Sequence, residues 1–143
     1  MRLLRGELLK PLTAAVIGSF ATTLLVWAAG TSADAQRSAE AWLRLVDHQQ
    51  YAESWAETGA TFRSQISQEQ WVEKAKSARE PLGALTSRDR PTIKLTKTLP
   101  GMPDGDYAVI QFHSSFKNKA EAVETVALVW EDSTWKVIGY FIR

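Results

Sequence analysis

The stretch from residue 100 to residue 107, Pro-Gly-Met-Pro-Asp-Gly-Asp-Tyr, places two acids on either side of a glycine, as some calcium loops do. A calcium ion takes about six or more oxygen ligands, and the next acid in the chain is as far away as Glu121. Proline presets one backbone dihedral and glycine accepts a positive one, so the same residues are typical of turns. The stretch therefore predicts a turn that leads into a strand at Tyr107, and no metal site.

The two histidines, His48 and His113, are the side chains best suited to general base catalysis or metal binding near neutral pH. Neither has a second ligand or base at a useful spacing. Asp47 is adjacent to His48, and neighbours in sequence face different directions on a helix, so the two form no dyad. His113 is predicted on the outward side of a strand, where it is available to a ligand or a partner.

Three arginines, Arg63, Arg79 and Arg88, fall near the predicted junction between helices and strands. Guanidiniums that converge there could bind a carboxylate or a phosphate through paired hydrogen bonds. The alternative is an internal ion pair with Glu80 or Asp89. We favour the ion pair, because arginine is well suited to structural pairs at such junctions.

Proton transfer would need a tyrosine donor and a carboxylate base that face one pocket, and the available side chains are Tyr51, Tyr107, Tyr140, Asp106 and Glu124. Each tyrosine also suits an amphipathic position, with its ring packed and its hydroxyl in water. The sequence has no cysteine, no glycine-rich phosphate loop, no Gly-x-Ser-x-Gly and no His-Glu-x-x-His. Hydrolases and nucleotide-binding proteins are therefore disfavoured, and no cofactor is predicted.

Helical periodicity in the first half of the chain predicts the elements that position these side chains. Apolar residues recur at helical spacing within 38–47 and again from Tyr51 to Phe62. Ser67 with Gln70 three positions later predicts a capping box at the start of a third helix, which Pro81 ends. The sequence therefore predicts three helices.

From residue 84 the periodicity changes to two, which predicts four strands at about 84–98, 106–116, 121–131 and 134–142. Pro91 cannot donate to a sheet, so the first strand is expected to be bent, bulged or at an edge. Helices followed by antiparallel strands predict an α+β domain, with the N-terminal helices packed on one face of a curved four-stranded sheet. The face of the second strand that begins at Ala108 is the expected core face, and the face with Tyr107 is the outward one.

The N-terminus is predicted to be an export signal, residues 1–35, that leaves a single domain at 36–143. Three basic residues precede an uncharged run from Leu12 to Ala29, and Ala33-Asp34-Ala35 fits a cleavage motif before Gln36. The predicted location is the periplasm. The alternative is an inner-membrane protein held by residues 12–29 without cleavage, since the run is long for a signal. Residues 36–143 carry 14 basic and 14 acidic side chains, so nucleic acid is not an expected partner.

Several motifs resemble one protein family. They are Trp55 with Phe62-Arg63, Trp71 with Arg79-Glu-Pro-Leu-Gly83 and Arg88, residues 100–107, Phe116 with Glu124-Thr125, and Trp135-Lys-Val-Ile-Gly-Tyr-Phe-Ile142. On these motifs the chain resembles the exported bacterial family known as domain of unknown function 4019 (DUF4019). The resemblance implies a cone-shaped fold similar to nuclear transport factor 2 (NTF2-like) and to cystatins. That fold hosts isomerases, dehydratases, ligand-binding proteins and interaction domains, so it does not choose a function.

The function that we expect is a non-enzymatic exported domain that binds a small ligand or an envelope protein. An isomerase-like or dehydratase-like enzyme that transfers protons in the cone is the alternative. A homodimer formed through the outward sheet face with Tyr107, Val109 and His113 is a third option. The expected binding residues are Arg63, Arg79, Arg88, Tyr51, Tyr107 and His113, and no residue is assigned to catalysis or to a metal.

Overall fold

Four α-helices and a 3-10 turn form the first part of the described chain. The computed structural model describes residues 29–143, so most of the predicted leader lies outside the described residues. The helices are α1 (Ser32–Asp47), α2 (Tyr51–Ala56), α3 (Ala60–Gln65) and α4 (Gln68–Arg79), and the 3-10 turn spans Glu80–Leu82. Among the described residues, the helices are all too short or too polar to cross a membrane.

The prediction of one helix from Tyr51 to Phe62 is wrong, because the chain leaves the helical path at Thr58 and Gly59. Thr58 forms a parallel bridge with Val137, and the amide of Gly59 donates to the carbonyl of Val137 at 2.8 Å. The backbone here bonds to the sheet instead of to its own helix, so α2 and α3 are separate.

Side-chain caps fix the starts of the two longer helices. The predicted capping box of Ser67 and Gln70 is confirmed at the start of α4. A second capping box, formed by Thr31 and Asp34, starts α1 six residues earlier than the sequence analysis placed it. The first turn of α1 therefore contains the cleavage motif that ends at Ala35, and Ala35 is fully buried.

Five antiparallel strands follow, one more than predicted. They are β1 (Leu85–Arg88), β2 (Thr92–Thr96), β3 (Tyr107–Phe116), β4 (Lys119–Glu131) and β5 (Thr134–Ile142). Both β1 and β2 pair with β3, which pairs with β4, which pairs with β5. The predicted strand 84–98 is thus two strands, because the chain breaks around Pro91, where no amide is available for the ladder.

The core lies between the helices and one face of this sheet, which makes the domain α+β as predicted. The predicted core face of β3 is confirmed, since Ala108, Ile110, Phe112, Ser114 and Phe116 are all buried. The rest of the core comes mainly from α1, α4, β4 and β5, and includes Ala39, Trp42, Leu43, Val46, Trp71, Val126, Leu128, Trp135 and Val137. Burial of one large apolar side chain contributes about 1.5–3 kcal/mol.

The stretch 100–107 forms turns, as predicted. Gly101 has a φ of 77°, and the amide of Met102 donates to the carbonyl of Leu99. The loop covers the Tyr107 ring on the outward face, where the tyrosine hydroxyl donates to the carbonyl of Pro103 at 2.6 Å. In the part of the chain that the structure describes, no group of three or more acids and histidines is placed to hold a metal ion.

Candidate functional site

A group of charged and polar side chains lies in the interior, between the helices and the sheet. We call it the ion cluster, and its members are Asp47, Arg79, Arg88, Ser114, Glu124 and Tyr140. They come from α1, α4, β1, β3, β4 and β5, so almost every long element contributes one side chain.

Position within each element explains how the charges reach the interior. Asp47, Arg79 and Arg88 are the last residues of α1, α4 and β1, so the cluster forms where the ends of these three elements meet. Glu124 instead lies in the middle of β4. It takes a core-facing position between the buried residues Ala122 and Val126, because side chains alternate along a strand.

Asp47 accepts hydrogen bonds from both arginines of the cluster. Its Oδ1 atom lies 2.7 Å from Nη2 of Arg79 and 3.0 Å from Nη2 of Arg88, and its Oδ2 atom lies 2.8 Å from Nη1 of Arg88. The Arg88 contact is a bidentate pair, the geometry that gives a guanidinium and a carboxylate their strongest interaction. Asp47 therefore holds the ends of α4 and β1 at the end of α1.

Glu124 is fully buried and accepts hydrogen bonds from three side chains. Its Oε1 atom lies 2.9 Å from Nε of Arg88 and 2.5 Å from the hydroxyl of Ser114, and its Oε2 atom accepts from the hydroxyl of Tyr140 at 2.5 Å. Nη1 of Arg79 lies 3.8 Å from Oε2 and adds a weaker charge contact. Both carboxylate oxygens are thus already engaged by donors of the protein.

The cluster is electrically balanced, with two guanidiniums and two carboxylates. Arg79 is only 5% exposed, and its guanidinium lies 4.8 Å from the centroid of the Phe116 ring. The guanidinium of Arg88 lies 5.8 Å from the ring centroid of Phe112. Aromatic faces stabilise cations at such distances. Buried charges cost free energy unless they are paired and hydrogen-bonded, and here both conditions are met.

Hydrogen bonding sets the protonation states in the cluster. Burial alone would raise the pKa of Asp47, but the hydrogen bonds and positive charges of Arg88 and Arg79 outweigh it and lower that pKa below 3.8. Burial and the neighbouring Glu124 carboxylate raise the pKa of the Tyr140 hydroxyl far above its ordinary value of 10.0. The pKa of Arg88 is also raised, because its two carboxylate partners outweigh the effect of burial. Near neutral pH these groups neither take up nor release a proton readily.

Solvent reaches the cluster at Asp47 and Arg79. A cavity of about 280 Å³ is lined by these two residues together with Tyr51, Glu80 and Gly83. Acids and a base share its wall, so the cavity presents no single sign of charge to a ligand.

The structure brings together three of the six predicted binding residues. Arg79 and Arg88 belong to the ion cluster, and Tyr51 lines the cavity beside it. Their acidic partners are Asp47 and Glu124, so the pairing with Glu80 or Asp89 that we expected is wrong.

The other three predicted residues lie apart from the cluster. Arg63 donates to two backbone carbonyls near the end of α2, that of Ala56 at 3.3 Å and that of Thr58. Tyr107 is covered by the loop described above. His113 is exposed and lines an open cleft of about 640 Å³ that Glu121 and Arg143 also line.

The outward face of the sheet is uncovered and carries an apolar strip beside polar side chains such as Lys94 and Gln111. Across β3, β4 and β5 one register row consists of Val109, Ala127 and Gly139. The next row ends in Phe141, which is 67% exposed, and its ring lies close to Gly139. We call the surface formed by Val109, Thr125, Ala127, Gly139 and Phe141 the outer patch.

Comparison with known proteins gives one match. A family model described as "Protein of unknown function (DUF4019)" matches residues 38–140. No curated protein and no solved structure matches the chain.

Proposed function

We propose that this chain, which belongs to the DUF4019 family, is an exported, non-enzymatic domain that binds another protein. The family has no established activity, so the proposal rests on the chemistry of the interior and of the outer patch. The observation that carries the proposal is the state of Glu124. A general base needs a lone pair that a substrate can reach. Glu124 is fully buried, and three side chains of the protein already donate to it.

The ion cluster has a structural role in this proposal. Its charges cancel, and both carboxylates accept from donors within the cluster, although the buried Nε of Arg79 has no hydrogen-bond partner. Such a network holds elements in one arrangement and leaves the surface to do the binding.

The outer patch is the surface that we assign to the partner. A phenylalanine that is 67% exposed leaves apolar surface in water, and Phe141 lies close to Gly139 on the face that also carries Ala127 and Val109. Exposed apolar patches on a sheet are typical of protein–protein contacts. Val109 and Ala127 lie on β3 and β4, which are paired on both sides, so the contact there would be made by side chains of the face, whereas β5 is an edge strand.

The sequence supports export. Arg2, Arg5 and Lys10 precede the apolar run, and basic residues on that side favour retention of the N-terminus in the cytoplasm and transfer of the following domain across the membrane. The finer fold assignment also belongs to the proposal. Helices on one face of an antiparallel sheet support a cone similar to the NTF2-like and cystatin-like folds, in which the outward face is left open.

Site-specific photo-crosslinking in cells tests the binding proposal. A photoreactive amino acid replaces Phe141 in the full chain, and a matched control carries it at Glu73, which is exposed on α4. We expect a discrete adduct from position 141 that position 73 does not give. An adduct of twice the mass of the chain identifies the partner as a second copy. No discrete adduct at position 141, or the same adducts from both positions, would refute the outer patch.

A proton-transfer enzyme is the second candidate, and one observation favours it. The hydroxyl of Tyr140 lies 2.5 Å from a carboxylate oxygen of Glu124, which is the donor and base pair that such an enzyme would need. Labelling of the native protein with a water-soluble carbodiimide separates the two functions. We expect modification at the exposed Glu73 and none at Glu124. Modification of Glu124 in the native state would show that small molecules reach it, and would favour the enzyme.

A further inference from the structure

The first residues that the structure describes are built into the domain. Gly30 lies against the Trp130 and Trp135 rings, which contact each other edge to face with ring centroids 5.4 Å apart. A Cβ atom at Gly30 would lie 2.9 Å from Cη2 of Trp130 and 2.6 Å from Nε1 of Trp135. Only glycine fits such an approach without displacing a ring.

The next residues form the first turn of α1. The hydroxyl of Thr31 accepts from the amide of Asp34, and the Asp34 carboxylate accepts from the amide of Thr31 at 2.9 Å. Ala35 follows and is fully buried in the core. Cleavage before Gln36 would remove this cap, the Gly30 contact and one core residue. Loss of a cap alone costs about 1 kcal/mol.

The apolar run ends where the domain begins. It is uncharged over 18 residues, from Leu12 to Ala29, and Gly30 follows directly. A helix of 18 residues is about 27 Å long, close to the ~30 Å hydrocarbon core of a bilayer. The sequence therefore holds a segment of membrane-spanning length with no linker between it and the folded residues.

The surface beside Gly30 suits contact with lipid. Ala29 and Gly30 share a cavity of about 250 Å³ with Leu95, Lys97 and Trp135. Leu95 is 50% exposed, and the Lys97 side chain is 79% exposed. Lys97 also contacts the Asp106 carboxylate, but an exposed ion pair contributes little, so an anionic headgroup can compete for the ammonium. An apolar side chain beside a lysine fits the boundary between acyl chains and headgroups.

We propose that residues 30–35 are retained in the mature protein, that residues 12–29 anchor the domain to the membrane without a linker, and that Leu95 and Lys97 face the bilayer. That the domain lies on the outer side of the membrane rests on the proposed function, which is export. The domain then stands on the outer surface of the membrane, with the β3–β4 turn at its far end.

Fractionation of cells that express the full chain with a C-terminal tag tests retention. We expect an intact chain mass in membranes that resist washing with alkaline carbonate. A soluble product that begins at Gln36 would overturn the inference, and so would any soluble product that has lost the apolar run. Protease added to spheroplasts reports on the proposed function separately. Digestion of the domain supports export, and protection refutes export while the carbonate wash still decides whether the domain is anchored.

Fluorescence quenching tests the orientation, and the absence of cysteine in the sequence allows single labels. Leu95→Cys and the control Lys117→Cys each receive a dye in the full chain, reconstituted into vesicles that contain nitroxide lipid. Ala108, the register partner of Leu95, lies nine residues from Lys117, or roughly 30 Å along an extended strand. We expect quenching several-fold stronger at position 95. Equal quenching, or stronger quenching at position 117, would overturn the orientation.

Discussion

Replacement of Glu124 by glutamine changes the charge of the ion cluster and preserves its shape. The variant replaces one carboxylate oxygen by an amide nitrogen of similar size, and it leaves two guanidiniums with the single carboxylate of Asp47. Breaking a buried pair costs about 3–5 kcal/mol, because the remaining charge stays largely buried without its partner. The whole stability of a domain is about 5–15 kcal/mol. We therefore expect Glu124→Gln to lower the free energy of unfolding by about 3–5 kcal/mol.

Urea unfolding of residues 29–143, followed by tryptophan fluorescence, measures this loss. With a slope of about 2 kcal/mol per molar urea, the midpoint falls by roughly 2 M. Lys97→Gln is the control, since it removes one charge of an exposed pair and should cost less than about 1 kcal/mol. Ser114→Ala removes one neutral donor to Glu124 and should cost about 1.5–3 kcal/mol. If Glu124→Gln does not fold, the loss measured for Ser114→Ala still tests the role of the cluster.

Charge balance also predicts coupling within the cluster. The double variant Arg88→Met with Glu124→Gln leaves the balanced pair of Asp47 and Arg79. It should lose less stability than the sum of the two single variants, by about 0.5–3 kcal/mol. If the single losses simply add, or if Glu124→Gln costs no more than Lys97→Gln, the reasoning about the cluster is refuted.

Three further predictions concern single positions. The folded-state pKa of Asp47 is lowered, so its contribution to stability is present above the unfolded pKa of about 4 and is lost as pH falls through the folded pKa. We expect the free energy of unfolding, followed by circular dichroism, to depend less steeply on pH below pH ~4 in Asp47→Asn. An unchanged pH dependence would contradict the pairing. Ser67→Ala removes the cap of α4 and should lower the free energy of unfolding in urea by about 1 kcal/mol. No loss would show that the cap does not stabilise α4. Phe141→Ser should change stability by less than about 0.5 kcal/mol, and a large loss would place Phe141 in the core and not in a contact surface.

Local signals predicted the elements well. The Ser67 and Gln70 box depends on residues three apart, and the alternation of β3 depends on neighbours, so both can be read without knowledge of the fold. The breaks at Gly59 and Pro91 were visible as residue types. The break at Gly59 is the harder one to predict, because the bridge between Thr58 and Val137 that follows α2 forms across a long separation in sequence.

The partners of the two arginines in the ion cluster could not be predicted from the sequence. Nothing local distinguishes Asp47 from Glu80 or Asp89 as a partner for Arg79, since the choice depends on how α1 and α4 pack. One clue was present. Glu124 occupies a position on β4 whose neighbours on the same face, Ala122 and Val126, are apolar, and a charge at such a position predicts a buried pair.

The start of α1 shows how one stretch can satisfy two patterns. Thr31 and Asp34 are spaced as a helix cap, while Ala33-Asp34-Ala35 is spaced as a processing motif. Small residues serve both purposes, because alanine favours helices and also fits a narrow protease site. The sequence favours the processing motif, and the burial of Ala35 is the observation that supports our proposal that the helix start is kept.

The ion cluster joins side chains whose positions run from 47 to 140, and this has a consequence for how the protein opens. If the end of α1, α4 or β1 frayed alone, the charges that it leaves behind would lose their partners while they remain largely buried, so partial opening is penalised at each of these ends. Motion there should be all-or-none, and backbone amides near Arg79 and Arg88 should exchange with solvent deuterons only through complete unfolding.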